Sequence, residues 1–265
     1  MELNLAKGNS SIMVKSLIAQ ILVFFIAFTA LAEDTRFNLI GVSQLPIHGY
    51  ENDEAKANML AIIGGKGIKN PLGKSRNFLV VNKSIFTNSK LNYYLFPNWS
   101  KSEKAGYKLR VSRKRVERIL SLLRGIRKRN SLPNYLVGFS RGSVDAAAFA
   151  KIYPEEIRGI VLASGIYKNS SRKAELYSMD RLIGSKINTA VLVVHHKKDA
   201  CHVTQFSYAE VFYQNLHAPR KQALFFNGGV PTGRTCGPLH YHGFENIEEK
   251  VASDIAEWIR TDAVK

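Results

Sequence analysis

One serine lies in a setting that makes its hydroxyl chemically useful. Ser140 stands in the segment Gly-Phe-Ser-Arg-Gly at 138–142, directly after the apolar run 135–137 and before the helix-forming stretch 144–150. A serine at a tight strand-to-helix turn is held out of the sheet, where a base can reach its hydroxyl. The flanking glycines permit a strained backbone and a close approach of strand and helix. The pattern therefore predicts a nucleophilic serine.

Such a serine needs a histidine base and an acid that orients the histidine. Asp199 follows a late apolar strand that ends in His195-His196, so it is our predicted acid, with a turn-stabilising role as the alternative. The base should lie in the loop before the last helix, where His240 and His242 occur. Only one of the two rings can serve as the base. We predict His242, because Gly243 leaves room beside its ring, and keep His240 as the alternative.

Two glycine-flanked N–H groups could stabilise the oxyanion of an acyl-transfer step. One is the backbone N–H of Arg141, which follows the serine. The other should follow an earlier buried strand, and Gly-Gly-Lys-Gly at 64–67 comes directly after the apolar run 59–63. We predict the N–H of Lys66, with Gly65 as the fallback. A phosphate-cradling turn is the alternative, although the segment lacks the spacing of a P-loop.

The chain has two cysteines, Cys201 and Cys236. An even pair in an exported protein predicts one disulfide, which would stabilise the fold by about 3–4 kcal/mol on the chain-entropy model. Such a bond would tie the loop of Asp199 to the loop of His242, or it would be a staple unrelated to catalysis. We expect no metal site, because no third ligand accompanies the His-x-His pair at 240–242.

The first 32 residues have the pattern of an export signal. Lys15 precedes an apolar core at 17–28, and Thr-Ala-Leu-Ala at 29–32 provides a cleavage site after Ala32. An uncleaved anchor is the alternative. The full chain carries a net charge of +17, and removal of 1–32 leaves +16 (17 − 1). We expect a periplasmic or secreted protein that is attracted to anionic surfaces.

Residues 33–265 show the alternation of apolar runs and amphipathic stretches that predicts a single α/β domain. The expected architecture is a mostly parallel sheet of about eight strands with helices on both faces, and the segment 167–186 is too short for a large lid. The helix predicted over 111–129 carries a crowded basic face. We interpret this as a solvated face or a loose contact with an anionic envelope. No specific nucleic-acid binding is expected, because no recognition motif or interleaved aromatic residues accompany it.

Together, Ser140, Asp199, His242, the Gly-Phe-Ser-Arg-Gly elbow and the Gly-Gly-Lys-Gly turn resemble the α/β-hydrolase superfamily across 37–263. The late segments around Asp199 and His242 resemble exported bacterial hydrolases of the dienelactone-hydrolase or carboxylesterase kind. The resemblance implies an eight-stranded sheet and a serine acyl-enzyme mechanism without a metal or organic cofactor. One departure is that Gly64-Gly65 stands where the superfamily frequently has His-Gly.

The expected function is hydrolysis of a small-molecule carboxylic ester by an exported enzyme, with lactone, thioester and amide substrates left open. Lys66 and Arg141 suggest anionic or anion-bearing esters, unless Arg141 pairs with Asp145 one helical turn on. The alternative function is a catalytically silent hydrolase-fold protein that binds anionic envelope polymers through its basic surface. The sequence leaves the oligomeric state open.

Overall fold

The short apolar runs of the sequence form one central sheet. The computed structural model describes residues 37–42, 46–70, 73–168, 171, 174 and 176–263. Within them, the sheet has eight strands in the spatial order β1-β2-β4-β3-β5-β6-β7-β8. The strands are β1 Asn38–Ile40, β2 Ile47–Tyr50, β3 Ala57–Ile62, β4 Leu91–Leu95, β5 Asn134–Phe139, β6 Gly159–Ala163, β7 Ala190–His196 and β8 Lys221–Phe226. Strand β2 pairs antiparallel with β1 and β4, and the other neighbours are parallel.

Helices connect the parallel strands, as the alternating pattern predicted. They are α1 Phe78–Val81, α2 Lys83–Asn88, α3 Tyr107–Arg110, α4 Arg113–Arg129, α5 Gly142–Ile152, α6 Met179–Leu182, α7 Phe206–Asn215 and α8 Glu248–Ala263. The first two helices, α1 and α2, follow one another closely. Asn82 separates them, and its side-chain amide donates to the carbonyl of Phe78 at 2.9 Å.

Alternate residues of each central strand point to opposite faces of the sheet, and each face is covered by helices. Leu60 and Ile62 of β3 pack on the face that carries α4, α5 and α7. Met59 and Ala61 pack on the other face with α1, α2 and α8. The expected architecture, a mostly parallel sheet with helices on both faces, is therefore confirmed. The described part of the connection between β6 and β7 contains one short helix, α6, and no large lid.

The basic face of α4 differs from the expectation. Arg113 has a side chain that is 85% exposed, as a solvated face requires, but the side chain of Arg115 is only 1% exposed. Arg115 pairs with the buried Asp145 and with Glu103, and Glu103 also pairs with Arg118. The expected solvated face holds for the exposed basic residues of α4, whereas Arg115 and Arg118 depart from it because their partner carboxylates come from other segments of the chain.

Residues Phe37–Lys265 cluster as one compact unit. The export signal predicted over 1–32 lies outside the described residues and stays a prediction. Among the helices described here, none combines the length and the apolar character needed to cross a membrane.

Candidate active site

Ser140 occupies a strained turn between β5 and α5. Its φ is +53°, a left-handed conformation that non-glycine residues adopt rarely and at a cost. The N–H of Ser140 donates to the carbonyl of Ala163 at 2.8 Å, and its carbonyl accepts from the Ser143 hydroxyl at 2.6 Å. These bonds hold the turn in place. The local sequence thus positions one hydroxyl at the carboxyl edge of the sheet.

Glycine is required opposite this serine. A Cβ added at Gly64 would lie 2.8 Å from the Ser140 Cβ and 3.2 Å from its Oγ. A Cβ at Gly142 would collide with the Ile62 carbonyl. The close approach of β3, the serine turn and α5 therefore needs small residues on both sides.

Asp199 and His242 form a buried hydrogen-bonded pair. The His242 Nδ1 lies 2.9 Å from Asp199 Oδ2, and the two residues are 3% and 4% exposed. Asp199 follows β7, whereas His242 lies in a 3-10 turn, Tyr241–Gly243, before α8. An Nδ1–H that donates to the carboxylate leaves Nε2 unprotonated and able to accept a proton. The pair thus has the arrangement that a general base requires.

The fold of the loop brings His242, rather than His240, to the Asp199 carboxylate. The Ser164 hydroxyl donates to the carbonyl of His242 at 2.8 Å and fixes this part of the turn. A Cβ at Gly243 would collide with the carbonyl of Pro238. Glycine there allows the loop to fold tightly, and no described contact joins His240 to Asp199.

Three further groups hold Asp199. The Cys201 N–H donates to Oδ1 at 2.9 Å, and the Thr204 hydroxyl donates to Oδ2 at 3.0 Å. His195 Nε2 lies 3.2 Å from the same oxygen and 2.6 Å from the carbonyl of Thr204. Burial alone would raise the pKa of Asp199, but hydrogen bonds from His195 and His242 outweigh it and hold the pKa well below the usual carboxyl range. The carboxylate is therefore ionised throughout the physiological range.

Sequence reasoning missed His195 and Thr204 as partners of the acid. His195 is the second-last residue of β7 and is fully buried, and the sequence placed it only near the end of a strand. Thr204 lies five residues after Asp199 in a turn. No motif marks either residue, because their role depends on how the loop after β7 folds back.

Ser140 and His242 line one pocket of about 300 Å³ at the carboxyl edge of the sheet. Asp199 bonds to His242 and is not among the residues that line the pocket. Lys66 and Arg76 contribute the cationic side chains of the pocket, and no carboxylate lines it. The remaining lining residues are Ile63, Gly64, Gly65, Gly67, Ser75, Asn77, Phe139, Cys236 and Pro238. The pocket therefore joins the candidate nucleophile and the candidate base in a positively charged setting.

Arg141 has a different place from the one expected for its side chain. Its guanidinium lies over the ring of Tyr107, 4.8 Å from the centroid, and it is not among the pocket residues. The alternative, an Arg141–Asp145 ion pair, is wrong because Arg110 and Arg115 bond to the Asp145 carboxylate instead. Arg76, which the sequence analysis did not single out, takes the position at the pocket.

The two N–H groups proposed for an oxyanion keep their hydrogen-bonding capacity. Lys66 lies in the turn Gly64–Gly67, which the Gly67 N–H closes on the Gly64 carbonyl at 3.0 Å. Gly65 has a φ of +57°, which suits glycine at this turn position. Within the described chain, the N–H groups of Lys66 and Arg141 have no protein acceptor. They are therefore available to a bound ligand.

The predicted disulfide is confirmed, since Cys201 and Cys236 are bonded. One end adjoins Asp199 through the Cys201 N–H, and Cys236 lines the pocket. The bond thus joins the loop of the acid to the wall of the site. Cys201, His202 and Cys236 also come close enough together for a metal, but a disulfide leaves no thiolate to bind one.

Comparison with known proteins identifies the same architecture in hydrolases. Est1E from Butyrivibrio proteoclasticus superposes with a TM-score of 0.61 at 12% identity, over 86% of this chain and 99% of that one. A dienelactone hydrolase from Anabaena variabilis gives 0.56 at 14% identity, over 85% and 96%. A soluble variant of monoglyceride lipase from Saccharomyces cerevisiae gives 0.56 at 12%, over 88% and 96%. No protein-family model matches the sequence, and no curated protein matches it significantly.

Proposed function

We propose that this chain, which has the α/β-hydrolase fold, is a serine hydrolase of carboxylic esters. Ser140 is the nucleophile, His242 the base and Asp199 the orienting acid. The observation that carries the proposal is the pocket itself, where a strained serine and a histidine bonded to a buried carboxylate lie together. Structural neighbours that are esterases and hydrolases support the same reaction class.

The reaction follows from these positions. His242 Nε2 takes the proton of the Ser140 hydroxyl as Oγ attacks the ester carbonyl, and the N–H groups of Arg141 and Lys66 donate hydrogen bonds to the developing oxyanion. His242 returns the proton to the leaving alcohol, which gives an acyl-enzyme. A water activated by the same histidine then releases the acid. Asp199 stays ionised and stabilises the imidazolium that forms in each step.

Fluorophosphonate labelling of the purified protein tests this proposal. We expect stoichiometric labelling of the wild type and none of Ser140→Ala, because the reagent needs an activated serine. Ser121→Ala is the control, since this exposed serine of α4 does not line the pocket. Labelling that persists in Ser140→Ala, or a folded wild type that is never labelled, would contradict the proposal.

The second candidate function is a catalytically silent protein that binds anionic polymers. Its argument is the net charge of +17, because such a charge attracts anionic surfaces without any catalytic site, but the esterases and hydrolases among the structural neighbours do not favour it. An unlabelled but folded wild type that is retained on an anionic polysaccharide at low salt would support this alternative. A labelled wild type with measurable ester turnover would support the enzyme.

The substrate class proposed within this function is anion-bearing esters. Lys66 and Arg76 line the pocket without a carboxylate partner among the described residues, and no acid lines it. Lys66→Gln and Arg76→Gln should raise KM for a carboxylate-bearing ester and leave a neutral ester of the same size almost unchanged. Equal changes for both esters would refute the preference. A panel with lactones and thioesters would define the reacting group.

Export is part of the proposal. The signal pattern over 1–32 and the disulfide support a periplasmic or secreted location, because disulfides persist in oxidising compartments. The amino terminus of the protein recovered from cells tests it. Glu33 as the first residue is the expected result, and an intact Met1 would contradict cleavage.

A further inference from the structure

A buried arginine outside the pocket contacts the turn that carries the candidate oxyanion donor. Arg110 ends α3 and is fully buried. Its Nη2 donates to the carbonyls of Ile63 at 3.1 Å and Gly65 at 3.4 Å, and its Nε donates to the Ala105 carbonyl at 2.9 Å. Its Nη1 bonds to the carboxylate of Asp145. One guanidinium thus connects the turn at 64–67 to helix α5.

The bond to Gly65 fixes the direction of the Lys66 N–H. The carbonyl of Gly65 and the N–H of Lys66 belong to one peptide group, and in a planar trans peptide they point in opposite directions. Because Arg110 holds the carbonyl on the protein side, the N–H of Lys66 is directed away from it. The Lys66 carbonyl is fixed too, since it accepts from the Asn98 amide at 3.0 Å and the Ala105 N–H at 3.1 Å.

The same bond also polarises the peptide. A charge-assisted hydrogen bond to a carbonyl is stronger than a neutral one, and chains of hydrogen bonds strengthen one another. A guanidinium on the Gly65 carbonyl therefore makes the Lys66 N–H a better donor to an anion. Arginine remains protonated in proteins, so this contribution does not depend on pH.

The Asp145 carboxylate anchors the guanidinium of Arg110. It lies in the first turn of α5, directly after the serine turn that supplies the N–H of Arg141. Arg110 bonds to this carboxylate and to the turn at 64–67 at the same time. The two candidate oxyanion donors thus stand in a fixed relation, one before α5 and one on the turn.

We propose that Arg110 is a positioning residue for the oxyanion site, which orients the Lys66 N–H through the Gly65 carbonyl. The inference rests on the proposed serine hydrolase function and adds a residue that never touches the substrate. It also distinguishes Lys66 from the fallback donor Gly65. The Gly65 N–H belongs to the preceding peptide, whose carbonyl is that of Gly64 and closes the turn with Gly67.

Arg115 provides a matched control. It is buried like Arg110 and bonds to the same carboxylate, but its other partners are Glu103 and the face of Phe96. It makes no described contact with the turn at 64–67. Loss of either arginine damages the buried cluster, whereas only loss of Arg110 releases the Gly65 carbonyl.

The test compares Arg110→Lys and Arg110→Met with Arg115→Lys and Arg115→Met. Lysine keeps the charge but lacks the planar guanidinium whose three nitrogens reach the turn, the Ala105 carbonyl and Asp145 at the same time. Each variant is titrated with fluorophosphonate to its labelling endpoint, and kcat is expressed per labelled site. Loss of stability then lowers the number of sites and leaves the turnover of each site unchanged. Inhibition by a trifluoromethyl ketone, whose adduct carries an oxyanion, is measured alongside KM.

For the Arg110 variants we expect kcat per site to fall about 10- to 100-fold, less than complete loss of a donor, with KM nearly unchanged. Affinity for the ketone should weaken by a similar factor. The Arg115 variants should stay within about threefold of wild type per site. Unchanged kcat per site in Arg110→Lys, or an equal loss in Arg115→Lys, would overturn the inference alone. A wild type that is never labelled would overturn the proposed function and the inference together.

Discussion

Two buried aspartates on the same side of this molecule have opposite partners. Asp199 is held by histidines, a threonine hydroxyl and a backbone N–H, whereas Asp145 is held by the guanidinium groups of Arg110 and Arg115. Histidine gains and loses a proton near neutral pH, but arginine does not. A carboxylate paired with imidazole can therefore take part in proton transfer. One paired with guanidinium can only fix geometry and charge.

The two aspartates also differ in what their partners, His242 and Arg110, contact in turn. The partner of Asp199, His242, lines the pocket beside Ser140. The partner of Asp145, Arg110, donates hydrogen bonds to backbone carbonyls. Burial and charge alone thus do not identify a catalytic acid. What distinguishes a candidate catalytic aspartate is the group that its partner reaches: a serine hydroxyl beside His242, and backbone carbonyls beside Arg110.

The strongest test of the comparison removes His242, the histidine partner of Asp199. His242→Ala should lower kcat about 10⁵- to 10⁶-fold, because the serine loses its base. His240→Ala is the matched control and should stay within about threefold, since it has no described contact with Asp199. Ester turnover per folded molecule measures both. A larger loss in His240→Ala would transfer the role of base to that residue.

Exchanging the two aspartates for asparagine separates their roles. Asp199→Asn should lower kcat about 10⁴-fold, as expected when the histidine loses its orienting carboxylate. Asp145→Asn should instead lower the free energy of unfolding by about 3–5 kcal/mol, because the buried guanidinium of Arg110 loses its paired carboxylate and that of Arg115 keeps only Glu103. Turnover per titrated site and urea unfolding give the two quantities. The comparison fails if both variants show the same profile.

The disulfide adjoins Asp199 and not Asp145. The double variant Cys201→Ser, Cys236→Ser should lose about 3–4 kcal/mol of unfolding free energy on the chain-entropy model, since the bond closes a 35-residue separation. Turnover per site should fall as well, because Cys236 lines the pocket and Cys201 holds Asp199. A variant as stable as wild type would show that the bond is dispensable.

The smallest effect concerns pH. The folded-state pKa of Asp199 lies below the ordinary value of about 4, so folding favours its ionised form. Its contribution to stability is complete above that ordinary value and is lost as pH falls through the lower folded-state value. The stability difference between wild type and Asp199→Asn should thus stay constant from pH 7 to about 5 and shrink below about 4. A difference that shrinks already between pH 7 and 5 would contradict this assignment.

Much of the site was accessible from local sequence. The Gly-Phe-Ser-Arg-Gly segment predicted the strand–turn–helix around Ser140, since the requirement for glycine and a left-handed residue acts over a few neighbours. The chain order of Ser140, Asp199 and His242 followed from strands whose carboxyl ends meet at one edge. The disulfide followed from a single pair of cysteines.

Tertiary structure alone decided the rest. Arg115 looked like one more solvated cation of α4, and Arg110 carried no motif, because a buried ion pair depends on a carboxylate that is distant in the chain. Arg76, for which nothing was expected, lines the pocket, whereas Arg141, which was expected there, lies over Tyr107, because side-chain direction is set by neighbours in space. By itself, the sequence determined the order of elements and the residue types that can do chemistry. Folding determined which charges meet, because electrostatic partners are chosen by distance in space and not by distance along the chain.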